Sequence, residues 1–201
     1  MRKAAILVIL AVFFAGFLFS VARMENLRVN GVDALLPLAP VDPRALLLGD
    51  YMTLEFAVND AIMDALRTRY APGRKGRARS GELPASGLAV VMDSVPRDGN
   101  GKETEARGTV PAVVFARLDD GAPLAPGERY LAFKVRGSRV ITASTAFYFR
   151  EGDAVRYERA RFGRVKIGRD GKTLLVALCD GDGRDIKPGR RPGGKDSANR
   201  D

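Results

Sequence analysis

The residues of this 201-residue chain best suited to chemistry are Ser138 and Ser144, both close in sequence to Lys134. A neutral lysine amine can serve as base to a serine hydroxyl, but neither spacing is diagnostic of such a dyad. A second cluster, Asp180, Asp182 and Asp185, sits in the run Asp-Gly-Asp-Gly-Arg-Asp. Carboxylates so close together suggest calcium, yet the alternating ligands and distal glutamate of an EF-hand loop are missing. Arg184 and Lys187 would also repel a cation, so the sequence predicts a solvated turn there. The chain has no histidine and a single cysteine, Cys179. That excludes Ser-His-Asp and Cys-His nucleophilic sites, His-ligated zinc, an internal disulfide and a CxxC redox pair. No catalytic residue, cofactor or metal ligand is assigned.

The elements that would position any site begin with an apolar run. Ala4 to Ala22 is uncharged over nineteen residues, flanked by Arg2 and Lys3 before and Arg23 after. At about 1.5 Å per residue such a helix approaches the roughly 30 Å of bilayer hydrocarbon. The reading is a single-pass anchor over residues 1–23, with the C-terminal part exported. A cleavable signal peptide is the alternative, because Ser20-Val21-Ala22 carries small residues where a cleavage site wants them. Export makes Cys179, inside the apolar stretch Thr173 to Cys179, a packed core thiol rather than a reactive one.

The net charge of +9 invites nucleic acid as a partner, but its location argues against that. Six basic residues and no acid lie between Arg67 and Arg79, and six against three acids lie between Arg184 and Asp201. The rest of the chain is electroneutral, so the excess sits in two Gly/Pro/Arg-rich segments that read as solvated tethers. Their functional alternative is contact with anionic lipid or an envelope polymer.

Residues 24–183 are expected to form one domain, and residues 184–201 a disordered basic tail. Leu27-Arg28-Val29 and Val32 to Leu38, either side of Asn30-Gly31, read as two strands. Thr53 to Val58 alternates and reads as a half-buried strand. Asn59 can cap a helix whose apolar face is Ile62, Met63 and Leu66. Gly87 to Met92, Thr109 to Leu118, Glu128 to Val135 and Arg139 to Phe149 read as strands, separated by Asp/Gly/Pro turns. One helical turn or two is expected over Asp153 to Ala160, then a closing hairpin from Val165–Ile167 and Thr173–Cys179. The predicted class is mostly β (α+β), a compact barrel- or sandwich-like domain with one or two short helices.

One segment carries a family resemblance. Pro40-Val41-Asp42-Pro43-Arg44 leads into Leu47-Leu48-Gly49-Asp50-Tyr51-Met52-Thr53-Leu54-Glu55-Phe56. This closely resembles the signature of the GDYXXLXY protein family, with Phe56 in place of the final tyrosine. Further matches lie at Phe147 to Gly152, at Tyr157 through Ala160 to Gly163, and at Gly171 to Leu175. The resemblance implies a membrane-anchored bacterial protein of uncharacterised function, at the inner membrane with its domain in the periplasm. It also implies a polytopic membrane protein as companion, and it brings no catalytic residue. Read physically, Gly49 permits a tight turn, Asp50 can bond neighbouring amides and Tyr51 starts a strand. The functional alternative is a recognition groove lined by Asp42, Arg44, Asp50, Tyr51 and Glu151.

Leu46 to Tyr51 is also similar to the Leu-x-x-Gly-Asp segment that follows the catalytic serine of signal peptidases. Val41 stands where that serine would be, and an alkyl group is no nucleophile. Three functions therefore compete: a non-enzymatic adaptor for a polytopic inner-membrane protein, an envelope ligand-binding or sensing module using Arg74 to Arg79, and a degenerate signal-peptidase-like hydrolase.

Overall fold

The computed structural model describes residues 2–39, 47–48, 51–70, 83–94 and 110–189. Helix α1 spans Arg2–Asn30, and within it Ile9–Asn30 is long and apolar enough to cross a membrane, with mean hydropathy 1.5 and nothing buried. Large apolar side chains such as Ile9, Phe13, Phe17 and Phe19 are all exposed along it. Arg23, Glu25 and Arg28 mark its last two turns as polar, so the uncharged stretch remains the one ending at Ala22.

The expected strand at Leu27–Val29 is instead the end of α1. Extending an existing helix adds one hydrogen bond per residue, whereas a three-residue strand would need a new pairing partner. Arg28 bonds Glu25 at 3.3 Å and Asn30 bonds Asn26 at 2.6 Å along the helix. The helix then passes straight into strand β1 (Val32–Pro37) through Gly31. A Cβ on Gly31 would run into the Leu27 carbonyl oxygen, so only glycine fits this junction.

The remaining elements, in chain order, are strands β2 (Leu47–Leu48) and β3 (Tyr51–Thr53), helix α2 (Ala57–Tyr70), then β4 (Ser86–Ser94), β5 (Ala112–Leu118) and β6 (Glu128–Arg136). They continue as β7 (Arg139–Ile141), β8 (Ala146–Tyr148), the short helix α3 (Ala154–Tyr157), β9 (Phe162–Ile167) and β10 (Thr173–Cys179). Seven strands form one curled half-barrel sheet in the order β10-β9-β1-β5-β4-β6-β7, and β2-β3-β8 form a small second sheet. Only the β1–β5 contact in the large sheet is parallel. The curl brings its far ends together: the Ala132 amide of β6 donates to the Gly171 carbonyl between β9 and β10, at 2.8 Å. The Thr173 hydroxyl of β10 likewise donates to the Thr142 carbonyl just after β7.

Helix α2 fills the concave side. Val58, Ile62 and Leu66, spaced by four, form its buried stripe against Ala34, Leu36, Val91, Val113, Val140 and Val165. This spacing explains why the expected strand over Thr53–Val58 stops early. Met52, Leu54, Phe56 and Val58 do alternate as buried residues, but Val58 is claimed by the helical stripe and α2 begins at Ala57. Asn59 thus lies inside the helix rather than capping it. On the outer face, Leu35, Ala112, Phe162 and Cys179 form a smaller cluster. Successive buried residues in β1 and β4 reflect central strands covered on both faces.

Two other expectations change. The single strand over Arg139–Phe149 divides into β7 and β8, which belong to different sheets. The domain also continues past residue 183: Ile186 is buried, and Asp185 bridges Cys179 as an extra antiparallel pair. The Gly189 amide is held by the Asp153 carboxylate at 3.0 Å, so Arg184 to Gly189 pack on the domain instead of starting a tail. The rest of that tail, the turn at Asp98 to Gly101 and the basic cluster Arg74 to Arg79 lie outside the described residues.

Candidate functional site

The polar cleft formed by the segment around Tyr51 is the best candidate site. It has a volume of about 520 Å³ and lies between β3, the outer face of α2, and β7 with the start of β8. Of the sequence-predicted residues, Tyr51, Leu54 and Phe56 line it. Leu54 and Phe56 are almost wholly buried, at 3% and 2% exposure, and form its floor. Phe56 packs its ring edge onto Gly163 of β9, where a Cβ would come within 2.8 Å of the ring. A ring so enclosed has no need of a phenol hydroxyl, which accounts physically for phenylalanine at this position. Asp42, Arg44, Gly49 and Asp50 lie outside the described residues. Glu151 is exposed in the turn leading into α3 and does not line the cleft.

Tyr51 pairs across the small sheet with Tyr148 of β8, their ring centroids 5.6 Å apart. Tyr148 is 75% exposed, so the pair presents aromatic surface beside the cleft. Behind it, Phe147 and Phe149 hold the buried Tyr157 of α3, with centroids 5.3 and 5.1 Å away. Burial, helped by the nearby Asp153 carboxylate, raises the Tyr157 phenol above its ordinary value. That phenol is a packed group.

The charged residues of the cleft come mainly from α2 and β7, and the sequence reading missed them. Asp60 and Asp64 share one face of α2 by their spacing of four, the one signal that could have found them. Asp64 accepts from Arg67 at 3.3 Å, and Glu55 pairs with Arg139 at the same distance. Among the described residues the three carboxylates Glu55, Asp60 and Asp64 outnumber the two guanidinium groups, a net charge of −1. Asn59 accepts the Thr142 hydroxyl at 2.7 Å, tying α2 to the chain after β7. The Arg67 Nε is buried with no acceptor among the described residues.

The lining contains no amine, thiol or imidazole, and no hydrogen bond joins Ser138 to a base among the described residues. This arrangement offers hydrogen bonds, ion pairs and an aromatic rim: the means of recognition. The other nucleophile candidate, Ser144, donates to the Ala146 carbonyl at 2.7 Å. The aspartate cluster is a turn: Asp180 accepts the amides of Asp182 and Arg184 at 3.0 Å, and Arg184 pairs with Asp182. Asp185 accepts from Arg164 at 3.1 Å and from the Cys179 thiol at 3.2 Å. Burial, then the Asp185 carboxylate, pushes that thiol up to about 12, so it stays protonated. No group of metal-ligating side chains occurs among the described residues.

Fold and cleft together define a mostly β domain, curled around one helix and preceded by an apolar N-terminal helix, with a polar cleft beside Tyr51. The chain belongs to the GDYXXLXY protein family, whose model matches residues 13–178. No curated protein and no solved structure matches it.

Proposed function

We propose that the protein is a single-pass, membrane-anchored adaptor whose exported domain docks on a polytopic protein of the same membrane. The observation that carries this reading is the junction at Gly31. Strand β1 starts two residues after α1 ends, so no free linker separates domain from helix. A domain held so close can reach partners only near the membrane surface. A polytopic protein offers both helices for α1 to pack on and loops for the cleft. The Tyr51–Tyr148 pair supplies the docking surface, since an exposed tyrosine, Tyr148, backed by the half-buried Tyr51 beside a polar, negatively charged cleft is a favoured anchor of interfaces. An inner-membrane location with a periplasmic domain belongs to the same proposal.

The test is gentle solubilisation of crosslinked native membranes, followed by identification of whatever co-purifies near stoichiometry. The adaptor reading expects a polytopic membrane protein, recovered at least tenfold less with Tyr148→Ala, a surface change that leaves the core intact. Recovery of the intact protein alone, or of the same partner at equal yield from the variant, contradicts it.

A further inference from the structure

A second cavity, of about 820 Å³, lies between the end of α1 and the turn joining β9 to β10. We propose that it binds the phosphate of an anionic lipid headgroup, with Arg23, Arg169 and Lys172 as its cationic ligands. The inference rests on the anchor reading, because it takes its depth from the apolar helix.

Depth is the first argument. Arg23 is the first charged residue after the uncharged run, and Ser20, one turn earlier, lines the same cavity. Arg23 bonds Asp170 at 2.7 Å, which brings the β9–β10 turn to the level where the apolar helix surface ends. Leu27 packs beneath that turn, so close that a Cβ on Gly168 would meet its Cδ1 at 3.1 Å. The turn is therefore docked on the helix at the height of the headgroups.

Charge is the second. Among the described residues Asp170 is the one carboxylate in the lining, and it is shared by Arg23 and, at 3.4 Å, Lys172. Arg169 has no ion-pair partner among the described residues. Three cations against one acid leave the cavity at +2, and lysine and arginine beside an anionic surface attract its lipids. The lining is also amphipathic. Met24, 55% exposed, and Leu27 lie among the cations, which suits a headgroup joined to acyl chains better than a free phosphate. Asn26 and Asn30 add amides that can meet headgroup oxygens.

Full-length protein in detergent, titrated with phosphatidylglycerol or phosphatidylcholine and read by native mass spectrometry, tests the site. Two net cations predict about thirtyfold preferential retention of phosphatidylglycerol. Arg169→Gln with Lys172→Gln leaves Arg23 balanced by Asp170 and should bring the two lipids to near parity. Both side chains are exposed, so the melting temperature should not change, and circular dichroism checks this. Equal retention of both lipids by the natural chain overturns the proposal, as does a preference unchanged in the double variant. Displacement of phosphatidylglycerol by millimolar inorganic phosphate would make it a free-anion site and also overturns it. Alkaline extraction of native membranes separates the failure modes. Release of the protein would refute the anchor and the lipid site together, whereas retention without lipid preference would refute the site alone.

Discussion

Two cavities among the described residues differ in what lies beneath their charges. The cleft beside Tyr51 is floored by the buried Leu54 and Phe56, the latter packed against Gly163 of β9, and its lining among the described residues is net negative. The cavity under the β9–β10 turn is edged by exposed charges, with Arg23 and Asp170 each about half accessible, and its lining is net positive. Burial makes the first inseparable from folding. The second contributes little to stability, because exposed ion pairs gain about 0–1 kcal/mol. Residues that hold the fold and residues available for binding are therefore distinguishable by how much stability each removes.

Substitutions should rank accordingly. Phe56→Ala opens a cavity in the middle of the core and should cost about 3–5 kcal/mol in denaturant unfolding of the whole chain. Gly163→Ala drives a Cβ to 2.8 Å from the Phe56 ring and should cost about 1–3 kcal/mol by overpacking. Asp170→Asn breaks the Arg23 pair and should shift stability by less than about 1 kcal/mol, with that small effect vanishing in high salt. A large loss from Asp170→Asn would erase the contrast between the two regions. A negligible loss from Phe56→Ala would do the same.

Cys179 sharpens the contrast on the outer face of the sheet. Its thiol binds a proton more tightly in the folded state than its ordinary value of 9.0 allows. The stability this contributes is fully present below pH 9 and is lost as pH rises toward about 12. A thiol reagent at pH 8 should leave the native protein unlabelled and react fully after unfolding in urea. Labelling of the native protein at the rate of a free thiol would contradict the packed position of this side chain.

Much of this was legible in the chain because the signals were strong and local. The uncharged N-terminal run, the helical stripe Ile62–Met63–Leu66 and the apolar strand Thr173–Cys179 after its Asp-Gly turn each carry one local signal. The misreadings fell where two patterns overlapped. Val58 satisfies both the alternation of β3 and the four-residue stripe of α2, and tertiary packing chose the helix. Leu27 satisfies both a short strand and the continuation of α1. The cleft was only half visible. Tyr51, Leu54 and Phe56 sit within one motif, whereas Asp64, Arg67 and Arg139 reach it from elements that only the fold brings together. Cys179 and Asp185, six residues apart, meet through a bridge that no local pattern announces.

The adaptor reading is tested most directly by a photo-crosslinking residue placed at Tyr148, beside the cleft, and separately at Val176 on β10. Both positions are exposed, at 75% and 49%, so each reports what touches its own surface. After irradiation of native membranes, the account predicts a crosslink to a polytopic membrane protein from position 148 and none from position 176. No crosslink from 148, or the same product from both positions, would contradict it.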